Sequence, residues 1–224
     1  MFFSSYVLIF LIVIVIAAVL LLRNINKKMY TPTQGEKIKK YEKPCKALLV
    51  VDVQEDLTGP GAVKPYKDTE EKIVMINKII QYASDSGMEV AYIRHGFKDN
   101  FINRTLTRSR LINGQPGIEV DSRINVINKN DFTKKISDAF SNIDLNKFLI
   151  DKQVDEVYIT GLDAVYCVYY TSIGALNRGY KVTVIEDAIM THKNMSDVVR
   201  LYEKSGITLS SGKNVIEAQQ VYLA

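Results

Sequence analysis

Cysteine is scarce in this chain, whose 224 residues include only Cys45 and Cys167. Two thiols are too few for a zinc-ribbon site, and a cytoplasmic location would argue against a disulfide between them. Cys45 precedes an apolar stretch and is most simply a packing residue. Histidine is equally scarce, with only His95 and His192. The sequence also lacks internal repeats and low-complexity tracts, which argues against a repeat architecture.

Charged side chains are absent from the first 22 residues, and Tyr6–Leu22 consists almost wholly of leucine, isoleucine, valine and alanine. This run has about the minimum length that spans a bilayer as a helix. A cleavable signal peptide would carry basic residues before the run, but here Arg23, Lys27 and Lys28 follow it. We therefore predict an uncleaved transmembrane anchor over residues 1–22. The protein would be a single-pass protein of the cell membrane with its remaining chain in the cytoplasm.

The basic residues are unevenly distributed along the chain. Residues 23–43 have a net charge of +5, whereas the whole chain has +4, so residues 44–224 have a net charge of −1. A domain without a positive field is not expected to bind nucleic acid. We predict a basic juxtamembrane linker over residues 23–43, which either contacts anionic lipid headgroups or is a solvated spacer. Residues 44–224 are enough for one domain with a sizeable core.

Strand and helix patterns alternate within residues 44–224. Apolar, β-branched runs predict strands at 47–53, 89–93, 156–160 and 181–185, and helical spacing predicts helices at 69–83, 145–150, 168–176 and 196–204. Residues 215–221 fit either type, and residues 97–130 are irregular. The order predicts a doubly wound α/β domain, with a mostly parallel sheet flanked by helices, preceded by one transmembrane helix. Such sheets bind ligands beyond the carboxyl ends of their strands.

Two positions combine this placement with reactive side chains, and a lysine pair is a third candidate. Cys167 lies where a strand turns into a helix, and the free N–H groups there favour a thiolate, although most unpaired cysteines are buried packing residues. Asp52 ends an apolar strand, so burial would raise its pKa and make it a proton acceptor, or it caps a turn. The Lys134-Lys135 pair supplies positive charge or belongs to a solvated face.

Together these positions resemble the isochorismatase-like cysteine hydrolases, a family that includes nicotinamidases and N-carbamoylsarcosine amidases. Three blocks carry the resemblance in the right order: Leu49–Leu57 around the aspartate, Lys134–Phe140 around the lysine, and Gly161–Val168 around the cysteine. The resemblance covers roughly residues 46–190 and implies that residues 44–224 form a three-layer hydrolase domain of this family. Leu57 departs from the pattern, because phenylalanine is usual there.

The resemblance implies a catalytic triad of Asp52, Lys134 and Cys167, with Lys135 as the alternative lysine. Asp52 would take the thiol proton, Lys134 would favour the thiolate, and Cys167 would form a thioester with a small amide or related acyl substrate. It also implies an oxyanion hole made by the backbone N–H groups of Asp163 and Cys167, and a cis peptide between Leu162 and Asp163. Gln54, His95 and Tyr166 are the predicted substrate contacts.

Two departures from the family pattern limit what carries over. Nicotinamidases hold a metal with an aspartate and histidines, but neither His95 nor His192 forms the required pattern here, so we predict no metal and no cofactor. The carboxylate of Asp163 would oppose an oxyanion unless it points away. Asp163 and Leu57 also favour an alternative, a non-catalytic membrane-tethered scaffold that retains the fold. Relatives often assemble, which predicts a homo-oligomer.

Overall fold

The computed structural model describes residues 2–220; Met1 and residues 221–224, the outer ends of the predicted anchor and hydrolase domain, lie outside the described residues. The strands are β1 (Cys45–Val51), β2 (Glu89–His95), β3 (Asp131–Lys134), β4 (Val154–Leu162), β5 (Lys181–Met190) and β6 (Thr208–Ser210). They form one six-stranded sheet in the order β3-β2-β1-β4-β5-β6. Every neighbouring pair is parallel.

The described residues also form eight helices. They are α1 (Phe2–Met29), α2 (Glu55–Thr58), α3 (Thr69–Asp85), α4 (Phe101–Thr107), α5 (Ile143–Asp151), α6 (Cys167–Asn177), α7 (Met195–Lys204) and α8 (Gly212–Gln220), with short 3-10 turns at Pro116–Ile118 and Ala139–Ser141. One core packs α5, α6 and α7 against the sheet, and the other packs α3 and α8. The predicted three-layer, doubly wound fold is therefore confirmed.

The central strand β1 shows why the sheet is buried on both sides. It lies between β2 and β4, and residues 47–51 are each at most 2% exposed. Covered strands of this kind carry continuous apolar runs instead of alternating ones. Fully burying each aliphatic side chain contributes about 1.5–3 kcal/mol. The packed strand therefore holds the residues at its carboxyl end in a fixed position.

Residues 97–130 are less irregular than their sequence predicted. They contain α4, whose first turn is capped by Asn100, since its side chain accepts a hydrogen bond from the backbone N–H of Asn103 at 2.8 Å. Apolar periodicity could not predict α4, because the helix has only seven residues and none of them is buried. The sequence also gave no signal for β6, and residues 215–220 belong to α8.

Helix α1 extends past the predicted anchor to Met29, so residues 23–29 of the predicted linker are helical. Its stretch Ile9–Met29 is long and apolar enough to cross a membrane, with a mean hydropathy of 2.5 and none of the tested window buried. The next residues, 30–38, form a segment that we call the strap. The strap is bound to the domain through Thr33, Gln34 and Ile38, although most of its residues are exposed.

Candidate active site

Asp52 follows β1 directly and is 2% exposed. Its backbone has φ of 57°, in the left-handed region that aspartate and asparagine tolerate better than most residues. Its backbone N–H donates to Ile93 O at 2.8 Å, which fixes the turn against β2. This turn directs the carboxylate toward the last residue of β3.

Lys134 is that last residue, and its side chain is 0% exposed. The ammonium Nζ lies 2.8 Å from Asp52 Oδ2, 2.9 Å from His95 Nδ1 and 3.1 Å from Cys167 Sγ. An ammonium has three protons to donate, so these contacts use its full capacity. Lys135 is exposed, because adjacent residues on a strand point to opposite faces. Lys134 is therefore the lysine that reaches the aspartate and the cysteine.

Cys167 is the first residue of α6. The loop from β4 that leads to it depends on Gly161, which has φ of 106° and lies so close to β1 that a Cβ would be 2.0 Å from Val51 O. A larger residue would separate the two strands that carry Asp52 and Cys167. From the sequence, this glycine was identified only as the first residue of the block around the cysteine.

The protonation states follow from burial and from the neighbouring charges. Burial raises the pKa of Asp52, although Lys134 opposes the shift. Burial and the Asp52 carboxylate raise the pKa of the Cys167 thiol to about 12, and Lys134 only partly offsets them. Burial lowers the pKa of Lys134, but Asp52 and Cys167 outweigh it and the net shift is upward. Burial and Asp52 thus favour the thiol form of the cysteine, so its attack needs a base, as expected of Asp52.

His95 ends β2 beside these groups and is 6% exposed. Burial, and then the Lys134 ammonium, lower the pKa of its imidazole well below the usual value, so the ring is neutral. Since Lys134 donates to Nδ1, the ring proton is on Nε2. Both this Nε2 and Asp52 Oδ1 are buried without a hydrogen-bond partner in the described structure. One unpaired donor and one unpaired acceptor therefore lie at the triad.

Three side chains around Lys134 are of types that can also bind a metal ion. Within residues 2–220, the group of three or more potential ligands consists of Asp52, His95 and Cys167, whose ligand atoms all lie within 4.8 Å of one another. The Lys134 ammonium contacts all three, so a cation already lies where the ion would bind. His192 stacks on Tyr66 instead, with 4.2 Å between ring centroids. The residues do not fit a metal ion, and its absence stays a prediction.

The loop between β4 and α6 contains a cis peptide between Leu162 and Asp163. The Asp163 carboxylate accepts hydrogen bonds from the Val165 N–H at 2.8 Å and the Thr191 hydroxyl at 3.1 Å. The extra acid is thus held by two donors and stabilises the local turn, as aspartate side chains commonly do. It is not a free charge beside Cys167.

The remaining predicted contacts have different surroundings. Gln54 is fully buried, donates to His95 O and Ile118 O, and accepts from the His95 N–H. It therefore fixes the end of β2, and the expectation of a substrate contact does not match its position. Tyr166 is 43% exposed beside Cys167 and packs against Tyr30, with 5.3 Å between ring centroids.

Sequence reasoning missed three aromatic residues near the site. Tyr30 belongs to the strap, and burial, Tyr166 and Cys167 raise the pKa of its hydroxyl. Burial and then Asp163 and Cys167 also raise the pKa of Tyr66. The ring of Phe97 packs on His95 at 4.6 Å between centroids. Because these rings come from loops and from the strap, no periodic pattern could have identified them.

Comparison with known proteins shows which family the chain belongs to. The family model described as the isochorismatase domain matches residues 46–204, which is more than half of the chain. The chain belongs to the isochorismatase family. The resemblance predicted from the sequence is thereby confirmed, and the chain is an isochorismatase-family hydrolase.

Several relatives show how far this similarity extends. An uncharacterised isochorismatase family protein of Bacillus subtilis is 25% identical over 65% of this chain and 77% of its own length. The nicotinamidase of Escherichia coli is 25% identical over 64% of this chain and 82% of its own. The solved structure of a pyrazinamidase of Pyrococcus horikoshii in complex with zinc has a TM-score of 0.65 and 25% identity, covering 75% of this chain and 99% of that one.

Proposed function

We propose that this isochorismatase-family hydrolase is a membrane-anchored cysteine amidohydrolase. It would cleave a small amide or related acyl compound through a thioester on Cys167. One observation carries the proposal: a buried ammonium, Lys134, lies 2.8 Å from the Asp52 carboxylate and 3.1 Å from the Cys167 sulfur. The names of relatives that are nicotinamidases and pyrazinamidases support an amide substrate.

Acylation begins with the protonated thiol of Cys167. Asp52 takes the proton from Cys167, and its unpartnered Oδ1 is available for this step. The sulfur attacks the carbonyl carbon, and the carbonyl oxygen becomes an oxyanion that the backbone N–H groups of Asp163 and Cys167 stabilise. The C–N bond then breaks, and the leaving nitrogen takes the proton back from Asp52. Lys134 stays an ammonium throughout and stabilises the negative charge as it moves between Asp52 and the sulfur.

Deacylation repeats these roles with water. Asp52 accepts a proton from a water molecule, the resulting hydroxide attacks the thioester carbon, and the C–S bond breaks. The sulfur then recovers its proton from Asp52, which restores the resting site. His95 presents its free Nε2–H at the same place, so it serves as a donor to a polar substrate group. No step uses a metal ion.

The anchoring part of the proposal is supported by α1. Its apolar side chains are exposed, as those of Ile9, Phe10 and Leu21 show at 57%, 65% and 60%. Exposed side chains of this kind are stable in a bilayer but not in water. Basic residues at the end of α1 would contact anionic lipid headgroups from the cytoplasmic side.

Turnover of amides tests the proposed function. The full chain in detergent or vesicles is offered a panel of small amides, and release of ammonia or amine is measured. We expect release from at least one amide, its loss in Cys167→Ser, and its retention in the matched variant Cys45→Ser. If no amide is hydrolysed while a protein partner consistently co-purifies with the wild type, the scaffold alternative is supported instead.

A further inference from the structure

The strap is an integral part of the hydrolase domain. The buried carboxylate of Asp138 accepts from the Thr33 N–H at 2.7 Å and from the Thr33 hydroxyl at 2.6 Å. The buried Arg178 side chain donates to Gln34 O at 3.0 Å, and its backbone oxygen accepts from the Ile38 N–H at 2.8 Å. Hydrogen bonds to charged groups contribute about 1.5–3 kcal/mol each. The chain between α1 and β1 is therefore held against the domain beside the site.

This attachment brings the end of α1 to the carboxyl edge of the sheet. The Ser137 N–H donates to Met29 O at 3.0 Å, and Ser137 follows the triad residue Lys134 by three positions. An extended chain of that length spans at most about 11 Å. The next residue after Met29, Tyr30, packs on Tyr166, which neighbours Cys167. The end of the proposed anchor thus lies close to the triad.

Helix geometry gives the height of this point above the membrane. Residues 23–29 continue α1 beyond its apolar run, and at 1.5 Å per residue they extend roughly 10 Å. The headgroup region on each side of a bilayer is about 5–8 Å thick. With the apolar run ending at the edge of the hydrocarbon core, Met29 and Tyr30 would lie just outside the headgroups, near the interface where tyrosine is enriched in membrane proteins.

A second apolar element, α4, follows β2 at the same edge of the sheet. The Gly96 N–H donates to Lys134 O at 3.0 Å, and the next residue, Phe97, packs on His95. From there the chain runs out into α4, whose apolar residues Phe101, Ile102 and Leu106 are 83%, 66% and 66% exposed. Of its polar residues, Asn103 and Thr107 are half-buried, whereas Arg104 and Thr105 are exposed. The helix therefore turns its apolar side chains outward, unlike an ordinary surface helix, which packs them on the core.

The charges around α4 indicate what covers this apolar face. Residues 98–110 carry four basic side chains and one acidic one, a net charge of +3. A short helix with an apolar face and a basic surround is typical of helices that lie in the interface of an anionic bilayer. Continuity with α1 points to the same occupant, because the anchor ends at this edge.

We propose that α4 lies in the surface of the bilayer into which α1 is inserted, so that the rim formed by Tyr30 and Tyr166 faces the headgroups. Substrate then reaches Cys167 along the membrane surface, which selects amphiphilic amides whose polar end enters the site. This inference rests on the anchored hydrolase proposed above and adds the orientation of the site and the class of its substrate.

The absence of tryptophan from the chain gives a direct test of orientation. Full-length Phe101→Trp is reconstituted in anionic vesicles whose lipids carry brominated acyl chains. We expect blue-shifted indole emission and strong quenching, and no quenching for Ile150→Trp, which replaces a 41% exposed residue at the end of α5. Emission as in water overturns the inference. A blue shift without quenching, together with cross-linking between chains, shows a second copy on α4 and also overturns it.

Acylation rates test the substrate class. In vesicles, wild type should react faster with nitrophenyl dodecanoate than with nitrophenyl acetate at equal membrane-phase concentration. The variant F101S/I102S/L106S should lose this preference and keep its rate with acetate, while the control V74S/I150S keeps both. An unchanged preference in the α4 variant refutes the membrane-surface route. If neither ester acylates Cys167, or if alkaline carbonate extracts the chain from membranes, the proposed function itself fails, which is a separate outcome.

Discussion

Replacing Asp52 by asparagine removes both the proposed base and one partner of a buried ion pair. Asparagine keeps the shape of the side chain and tolerates the positive φ of 57°, so the turn after β1 should persist. The variant loses the group that accepts the thiol proton. It also leaves the Lys134 ammonium, 0% exposed, without its carboxylate partner.

The expected magnitudes differ for rate and stability. Loss of a general base typically costs about 10²–10⁴ in rate, and the raised pKa of the Cys167 thiol leaves little spontaneous thiolate to compensate. Removing one partner of a buried ion pair destabilises a protein by about 3–5 kcal/mol. For a domain of this size that corresponds to about 6–20 °C in melting temperature. Lys134→Met should cost a similar amount, but the double variant should cost less than the sum, because both charges are then gone.

The assay measures nitrophenyl acetate burst rates and thermal unfolding on the same full-length samples. Asp121→Asn is the matched control, since Asp121 is fully buried and pairs with Arg123 elsewhere in the fold. It should lower the melting temperature and leave the burst rate within about twofold of the wild-type rate. Two results would refute the reasoning: a normal burst in Asp52→Asn, or stability losses of Asp52→Asn and Lys134→Met that simply add in the double variant.

Three further predictions follow from the same contacts. The acylation rate should fall as the pH drops, because Asp52 cannot act as a base once it is protonated. Since burial raises the pKa of Asp52, the pH of half-maximal rate should lie above the ordinary pKa of 3.8. A half-maximal rate at or below pH 3.8 contradicts this. Gly161→Ala should lower the stability by at least about 3 kcal/mol in thermal unfolding, because the new Cβ would clash with β1. Gly206→Ala should lower it by about 1–2 kcal/mol, because Gly206 has a φ of 70° but open space around it. Equal losses would contradict the steric argument. Thr33→Val should lower the free energy of unfolding by about 1–3 kcal/mol, because it removes a hydrogen bond to a buried carboxylate. Thr31→Val should lower it by less than about 0.5 kcal/mol, because the Thr31 hydroxyl is exposed and donates only to Lys27 O in α1. Urea unfolding of both variants measures the difference.

The sequence predicted the parts of the fold that depend on repeated burial. The strand around Val50 and the helix around Ile76 were recognisable because each carries many apolar residues at one spacing, and both are buried in the structure. The positions of Asp52 and Cys167 could be derived because both follow strands of a parallel sheet, whose carboxyl ends meet at one edge.

Features formed by single contacts between distant segments could not be predicted. The strap binds through Asp138, 105 residues away from Thr33, and nothing in the local sequence indicates such a partner. The raised pKa of Cys167 also depends on how closely Asp52 approaches in the folded chain. The start of α6 and the lysine, which favour a thiolate, could be located in the sequence, whereas the burial of Cys167, which favours the thiol, depends on the folded chain.

Peptide mapping by mass spectrometry after brief exposure to a nitrophenyl ester tests most directly whether the three groups act together. Cys167 and Cys45 serve as an internal comparison, since both are free and half-buried in the same molecule. We predict acyl mass on the peptide containing Cys167, little on the one containing Cys45, and loss of the modification at Cys167 in Asp52→Asn and Lys134→Met. Equal acylation of both cysteines, or acylation of Cys167 that is unchanged in both variants, would contradict the proposed triad.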